Sequence, residues 1–427
     1  MFKLDDNTYI TEDTRKVKDG VYFLKTEQNS KYLDTLDKNA KIITPKELIK
    51  RWGLDSLNVI GITGTNGKTT TAAITYSLLT DLGHITGLQG TRGFFLNDKR
   101  VEDKSLTTPS ILQTLHNMKL TKDAGGDYFV MEVSSHAIAQ NRIEDINFAL
   151  KVFTNVTQDH LDYHKSVAEY RAVKSKFFLD ESLKLLNKDE IKKIMFNETK
   201  AYTYSLDEPS SFKIDAFSLN NGITAAINHL GEIATFHSSL VGLFNVYNLT
   251  AAIASVKLLT QKPLEEICQY VENFGGVSGR MEVVSQNPTV IVDFAHTPDG
   301  MLKVLESLKD KEIAVVFGAG GDRDKDKRPK MGLVASKFAK KLYITSDNPR
   351  SEEPETIIDE IAAPLKGKEG VYKITDRKEA IKRALDELKD NEILLILGKG
   401  DENYIEIKGQ KIPFDDREVV RELLNSN

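Results

Sequence analysis

Residues 59–80 read VIGITGTNGKTTTAAITYSLLT. The β-branched run Val59–Ile62 meets a turn of small residues, Thr63–Gly64–Thr65–Asn66–Gly67, and Lys68 with three threonines then opens a helical pattern. A strand, a phosphate-cradling loop and a helix N-terminus thus follow one another without a break. The glycines allow backbone N–H groups to approach an anion, Lys68 adds a mobile positive charge, and the Thr69 hydroxyl falls where a Mg²⁺ ligand is expected. Ile62 stands where the general G-x-x-x-x-G-K-T pattern has its first glycine. The stretch predicts a nucleoside triphosphate site; an ordinary glycine turn before a helix is the plainer alternative.

At 427 residues the chain suits two or three domains. Its net charge of −5 offers no argument for nucleic acid or membrane binding. Lys325, Lys327 and Arg328 alternate with aspartates and read as a solvated loop or an anion contact. Cys268, the single cysteine, excludes an internal disulfide and a thiolate metal cluster, and its helical apolar setting predicts a buried structural thiol. The charged start MFKLDDNTYI lacks a signal-type apolar region and no apolar run reads as membrane-spanning. The expectation is a cytoplasmic monomer with no membrane insertion.

Residues 1–45 hold short strand-like pieces (Tyr9–Ile10, Gly20–Phe23, Ala40–Ile43) and few helical signals. Strands and helices then alternate, with strands at Val59–Ile62, Tyr128–Glu132 and Leu150–Phe153, each followed by polar residues at its C-terminal end. Residues 201–240 read as a β excursion before a helix at Val246–Thr260. Beyond Gly275–Gly279 the alternation resumes: strands Val290–Asp293, Ile313–Phe317, Leu342–Thr345 and Ile393–Leu397, with helices Asp299–Leu308 and Gly332–Phe338. The fold class is α/β in three domains. These are a small N-terminal α/β unit (1–46), a central P-loop ATPase-type parallel-sheet domain (47–276) and a C-terminal Rossmann-like α/β domain (277–427).

Polar clusters fall at strand ends. Glu132 closes YFVMEV and is placed to hold the Mg²⁺ of Mg-ATP, with a surface glutamate as the alternative. In Asn155–His164, a single histidine on a divalent ion fits a loop better than a paired zinc site, and His164 taken alone reads as structural. Residues 168–178 form an amphipathic helix with the apolar stripe Tyr170, Val173, Phe177 and Phe178; by spacing alone Lys174, beside it, is a snorkelling lysine. Asp293–Asp299 reads as a turn in which Thr297 or Asp299 caps the next helix, compatible with nucleotide contact by Asp293 or His296. Arg323, Arg350 and the run Gly398–Glu402 share one sheet edge, which argues for a small-molecule site suited to carboxylate or phosphate.

In order and separation, TGTNGKTT (63–70), EVSSHA (132–137), NVTQDHLDYH (155–164), GRME (279–282), DFAHTPDG (293–300) and GGDRDKDKRPKM (320–331) resemble the Mur ligase family, whose members form amide bonds with ATP in peptidoglycan synthesis. The resemblance is strongest to the branch that adds the third stem-peptide residue, and DNPR at Asp347–Arg350 to its form specific for meso-diaminopimelate. It implies ATP bound by Gly64, Thr65, Asn66, Gly67, Lys68, Thr69 and Thr70, with nucleotide contacts at Asn248, Arg280, Asp293 and His296. Two Mg²⁺ ions are implied, on Thr69, Glu132, His160 and Lys174, the last as a CO₂-derived carbamate (N6-carboxylysine); Lys68, Lys174 and His160 become the catalytic set. Thr107, Thr108, Ser134, Gln140 and Arg142 match contacts to UDP-MurNAc-L-Ala-D-Glu. Arg323, Asp347, Asn348, Pro349, Arg350, Gly398 and Glu402 match the diaminopimelate pocket.

Three departures stand out. The region before the phosphate loop is short, with only Asp13–Thr14–Arg15 resembling the uridine-binding segment. Leu106 replaces a frequent asparagine, and GKGDE carries Asp401 where many relatives have histidine. The rivals are the same ligase with L-lysine, a folylpolyglutamate-synthetase-like ligase, and a non-catalytic nucleotide-binding switch.

Overall fold

The computed structural model describes residues 1–97, 99–103, 106–159 and 163–425. Four short strands open the chain: β1 (Phe2–Asp5), β2 (Thr8–Thr11), β3 (Val21–Leu24) and β4 (Ile42–Ile43), paired in that order in one sheet. Helix α1 (Pro45–Trp52) follows from a capping box: Thr44 Oγ1 accepts from Glu47 N, and the Glu47 carboxylate accepts from Thr44 N. Its inner face, Leu48, Ile49 and Trp52, is buried with Leu4, Ile10 and Leu24 on one side and Val59 and Phe129 on the other. The first sheet therefore shares a core with the next one, and residue 46 lies inside the connecting helix.

The central unit runs β5 (Asn58–Thr63), α2 (Lys68–Asp81), β6 (Thr86–Gly90), β7 (Gly93–Leu96), β8 (Lys99–Glu102), α3 (Ile111–Asp123), β9 (Tyr128–Glu132) and α4 (Ser135–Ala139). It continues with β10 (Phe148–Phe153), α5 (Val167–Lys176), β11 (Lys184–Asn187), β12 (Ala201–Ser205), β13 (Phe212–Ser218), β14 (Ile223–His229), β15 (Glu232–Ser238), α6 (Leu243–Thr260) and α7 (Leu264–Cys268). All of these strands join one sheet of order β15-β14-β13-β12-β11-β10-β5-β9-β6-β7-β8. Its middle is parallel and both ends turn antiparallel. The β excursion at 201–240 is thus a continuation of the central sheet, with β12 parallel to β11. Both faces of β5 are covered, Ile60 and Ile62 packing in one core and Val59 in the other, which is why this strand is apolar without polar alternation. Contrary to the sequence reading, the described residues include one helix, α6, long and apolar enough to cross a membrane. In the fold it is a core helix: Val246, Leu249 and Ala251–Ala254 are inaccessible and pack with α2. Cys268 is buried as expected, and desolvation pushes its thiol up to about 12.

The C-terminal unit comprises β16 (Glu282–Gln286), β17 (Thr289–Asp293), α8 (Pro298–Ser307), β18 (Glu312–Phe317), α9 (Lys327–Phe338), β19 (Lys341–Ile344) and α10 (Pro354–Ala362). Then come β20 (Val371–Lys373), α11 (Arg377–Asp386), β21 (Glu392–Leu397), the hairpin β22 (Tyr404–Ile407) and β23 (Gln410–Pro413), and α12 (Asp416–Asn425). The sheet order is β16-β17-β21-β18-β19-β20, parallel except at β16. Helix α9 begins five residues before the expected Gly332, so of the two readings of Lys327–Arg328 the solvated loop is corrected and, for Arg328, the anion contact holds. Arg328 is fully buried in that helix because two carboxylates neutralise it: Nη2 donates to Glu352 Oε1 at 2.8 Å and Nη1 to Glu360 Oε2 at 2.5 Å. Hydrogen bonding to Arg328 takes Glu352 from 4.5 down to about 2. A depressed carboxylate contributes stability above its unfolded value, so this contribution is full above about pH 4.5 and is lost as pH falls towards about 2. Glu352→Gln is expected to lower unfolding free energy by about 2 kcal/mol at neutral pH, because it leaves a buried guanidinium undercompensated. Urea unfolding of the two proteins at pH 7 and pH 3 checks this; an equal gap at both values contradicts it.

Candidate active site

The phosphate loop lies where β5 ends and α2 begins, at the carboxyl edge of the parallel strands. Gly67 has φ +85°, and a Cβ there would stand 2.4 Å from Asn248 Oδ1, so glycine is required for both the turn and the approach of α6. Loop backbone is fixed from the β10 side: Thr65 N donates to Asn155 O (2.9 Å) and Asn66 N to Asn155 Oδ1 (3.0 Å). Lys68 Nζ curls over the loop and donates to Gly64 O (2.8 Å) and Thr65 O (2.9 Å). Burial lowers its pKa, against the pull of Glu132 and Asp159. Thr70 is buried behind it, and Thr71 Oγ1 donates to Asn248 Oδ1 at 3.3 Å.

Glu132 ends β9 beside this loop. Thr69 Oγ1 donates to its Oε2 (2.9 Å), Thr91 N to its Oε1 (2.8 Å) and Thr91 Oγ1 to Oε2 (3.2 Å). It is 2% exposed, with no ion pair among the described residues. A carboxylate buried with only neutral donors is an environment that a divalent cation completes, so Thr69 and Glu132 fit the expected Mg²⁺. His160 lies outside the described residues. Among those described, no three His, Cys, Asp or Glu side chains group as a metal site. His164 is buried with Nε2 3.0 Å from Ser135 Oγ, in keeping with its structural reading.

Lys174 corrects its spacing-based assignment. It does not snorkel: it is 1% exposed, and Nζ donates to Gly64 O (2.9 Å) and Thr63 Oγ1 (3.3 Å) directly beneath the phosphate loop. Burial, reinforced by neighbouring Lys68, depresses its pKa well below the ordinary lysine value. Helix α5 delivers it there because Tyr170 and Val173 are buried; Phe177 and Phe178 of the expected stripe are buried too, but lie just past the helix, which ends at Lys176 instead of running to 178.

Thr107, Thr108, Ser134, Gln140 and Arg142 converge at the β9 end. Ser134 N donates to Thr108 Oγ1 (2.9 Å), Arg142 Nη1 to Thr108 O (2.9 Å), and Arg142 Nη2 to Gln140 Oε1. Thr107 Oγ1 lies 3.1 Å from Thr91 Oγ1, which links this cluster to Glu132. Asp13–Arg15 is a self-paired turn, with Arg15 Nε donating to Asp13 Oδ1 at 2.9 Å.

On the C-terminal side, Asp293 organises backbone: Met281 N donates to Oδ2 (2.8 Å) and Ala295 N to Oδ1 (2.7 Å). The Arg280 guanidinium stacks 4.4 Å over Phe294, and His296 Nδ1 lies 2.9 Å from Phe294 O. That carbonyl can only accept, so Nδ1 carries the proton and Nε2 is left as an acceptor. Thr297 rather than Asp299 caps α8, accepting from Gly300 N at 3.1 Å. A cavity of about 500 Å³ opens between the two domains, lined by Thr157, His296, Arg323, Asp347, Arg350 and Glu402 among others. Asn348 Nδ2 donates to Glu402 Oε2 (2.9 Å), and Arg350 Nη1 to Gly321 O (2.7 Å). A Cβ at Gly398 would stand 2.5 Å from Asp347 Oδ2, so Gly398 lets β21 close on the Asp347 loop.

Sequence reasoning missed two cations behind this cavity. Lys399 is fully buried, donating to Glu402 Oε2 (3.2 Å) and Asn348 Oδ1 (3.3 Å). Arg377 pairs with Asp416 (Nε to Oδ1, 2.7 Å) and donates to Ser346 O and Leu397 O, the residues just before Asp347 and Gly398. Lys399 was legible inside GKGDE; nothing local marked Arg377. Asp401 faces Arg92 of the central domain at 3.7 Å.

A phosphate loop heading one parallel sheet, facing cations on the strand ends of a second, defines a nucleotide-dependent enzyme whose site is divided between domains. The chain belongs to the Mur ligase family: residues 62–256 match the Mur ligase middle domain and residues 279–400 the Mur ligase glutamate ligase domain. It is 50% identical over 417 residues to the UDP-N-acetylmuramoyl-L-alanyl-D-glutamate–2,6-diaminopimelate ligase of Wolinella succinogenes, covering 97% of this chain and 96% of that one. To the ligase of the same name from Helicobacter hepaticus it is 51% identical, covering 94% and 89%. A solved structure bearing this ligase name superposes with TM-score 0.69 at 28% identity, over 98% of this chain and 95% of the other. A folylpolyglutamate synthase from Mycobacterium tuberculosis shares the fold at TM-score 0.69 and 19% identity, over 83% and 91%.

Proposed function

We propose that this chain is an ATP-dependent ligase that joins meso-2,6-diaminopimelate to UDP-MurNAc-L-Ala-D-Glu, releasing ADP and phosphate, and that it works as a cytoplasmic monomer. The observation that carries the proposal is the facing of the phosphate loop by a cavity holding both arginines, with the Thr108–Arg142 cluster adjoining the loop through Glu132. The named activity of relatives near 50% identity supports the same reading. The units divide the work: residues 1–46 take the uridine end, 47–276 take ATP and the dipeptide, and 277–427 take the amino acid.

A substrate carboxylate oxygen attacks the γ-phosphorus and ADP leaves, giving an acyl phosphate. The amine of diaminopimelate then attacks the acyl carbon and loses a proton, and phosphate departs from the tetrahedral intermediate. Positioning and charge neutralisation dominate such transfers. Lys68, released from the loop carbonyls, meets the phosphates, while Asn248, Arg280, Asp293 and His296 border the nucleoside. Mg²⁺ held by Thr69 and Glu132, and a second ion held by His160 and carbamylated Lys174, neutralise phosphoryl charge when bound. A depressed pKa supports the carbamate, because the neutral amine is the form whose lone pair attacks CO₂, with release of a proton. The diaminopimelate amino acid centre distal to the new bond meets Arg350, which finds there a carboxylate that lysine lacks.

Phosphate release measured across candidate amino acids tests the reading. Release should require the UDP-dipeptide and meso-diaminopimelate together. Equal or faster turnover with L-lysine overturns the specificity, and release with neither acceptor present points to the nucleotide switch.

A further inference from the structure

We propose that Asp299 is a positioning residue through which the C-terminal domain sets the shape of the phosphate loop. Asp299 lies in the first turn of α8, yet its carboxylate leaves that helix and crosses to the central domain. Its Oδ2 accepts from Asn66 Nδ2 at 2.7 Å and from Thr157 Oγ1 at 3.0 Å, with Lys303 Nζ of its own helix at 3.3 Å. Asn66 is a residue of the loop itself. Its backbone is held from its own domain: Thr154 Oγ1 and Asn155 Nδ2 donate to its carbonyl at 2.7 and 3.0 Å. Its side chain reaches across. Thr157 gives a second route to the loop, because its N–H donates to Thr65 Oγ1 at 3.0 Å. One carboxylate from the C-terminal domain thus reaches the loop directly at Asn66 and, through Thr157, at Thr65.

Charge-assisted hydrogen bonds of this kind are short and directional, and α8 keeps the anion favourable by presenting it in its first turn. Coupling is reciprocal: if docking of Asp299 orders the loop, a phosphate chain in the loop must favour docking of the domain. The cavity for the amino acid is built partly from the same C-terminal unit, so nucleotide binding would assemble it. The inference rests on the reading that the loop binds ATP.

Calorimetric binding of a non-hydrolysable ATP analogue with Mg²⁺ to the full chain tests it, together with steady-state constants. Asp299→Ala should weaken the analogue about tenfold and raise the KM for ATP similarly, with the KM for the UDP-dipeptide unchanged. Asp299→Asn keeps an acceptor oxygen and should stay within about threefold of the parent. Asn66→Ala should also weaken the analogue, and because the two residues share one contact the double variant should lose less than the product of the two single losses. Parental affinity in Asp299→Ala, equal losses in the alanine and asparagine variants, or losses that multiply in the double variant would each overturn the inference alone. A parent chain that fails to bind the analogue overturns the ATP reading and the inference with it.

Discussion

Lys174→Ala is expected to lower kcat by about a thousandfold or more while the protein melts within a few degrees of the parent. The side chain is inaccessible, and its amine is spent on Gly64 O and Thr63 Oγ1 rather than on a carboxylate. A lysine kept charged for stability would sit beside an anion and have a raised pKa. This one is pushed down, first by burial and then by Lys68, towards the neutral form. Alanine therefore breaks no ion pair among the described residues, and the lost activity is not explained by unfolding. Two further measurements separate a carbamate from a plain amine. Short carboxylic acids at high concentration should partly restore the alanine variant, because they return an anionic oxygen to the vacated space. Exhaustive removal of CO₂ should reversibly slow the parent enzyme and leave Lys174→Ala unaffected. Parent-like turnover in the alanine variant would remove Lys174 from the reaction.

Arg350→Lys is expected to raise the KM for meso-diaminopimelate about a hundredfold, with the KM for ATP unchanged. Arg350 stands at φ +51° in an isolated β-bridge to Ile407, its backbone pinned on both sides: its N–H donates to Glu406 O (3.0 Å), and Lys408 N donates to its carbonyl (2.7 Å). Its side chain is held by Gly321 O at 2.7 Å and by Glu406 at 3.4 Å. The planar fork can keep the Gly321 contact while presenting further N–H groups to a carboxylate in the cavity, whereas a single ammonium must choose. Lysine preserves the charge and the backbone, so the substitution reads geometry rather than net electrostatics. A change confined to ATP would place Arg350 in the wrong pocket.

Much of this site was legible from local sequence. The loop at 64–70, Glu132 and the stripe of α5 are each written within a few consecutive residues, where strand alternation, glycine turns and helical spacing operate. Thr108, Ser134 and Arg142 are implied by the family resemblance rather than by local spacing. Buried charge was illegible. By spacing alone Arg328 reads as a solvated loop or an anion contact and Lys174 as a snorkelling lysine, because the groups that make their burial tolerable come from other parts of the chain: Glu352 and Glu360 for one, the phosphate-loop carbonyl for the other. Arg377, whose guanidinium ties the ends of β19 and β21 together, carries no local mark at all.

By itself the sequence determined the phosphate loop, the order of its companion motifs and hence the family, since these depend on interactions between residues close in the chain. Tertiary structure alone decided that Lys174 lies under Gly64, 110 positions away, and that Asp299 reaches Asn66 across 233. A charged side chain is buried only where distant segments supply its hydrogen bonds, and spacing along one segment contains no information about that supply.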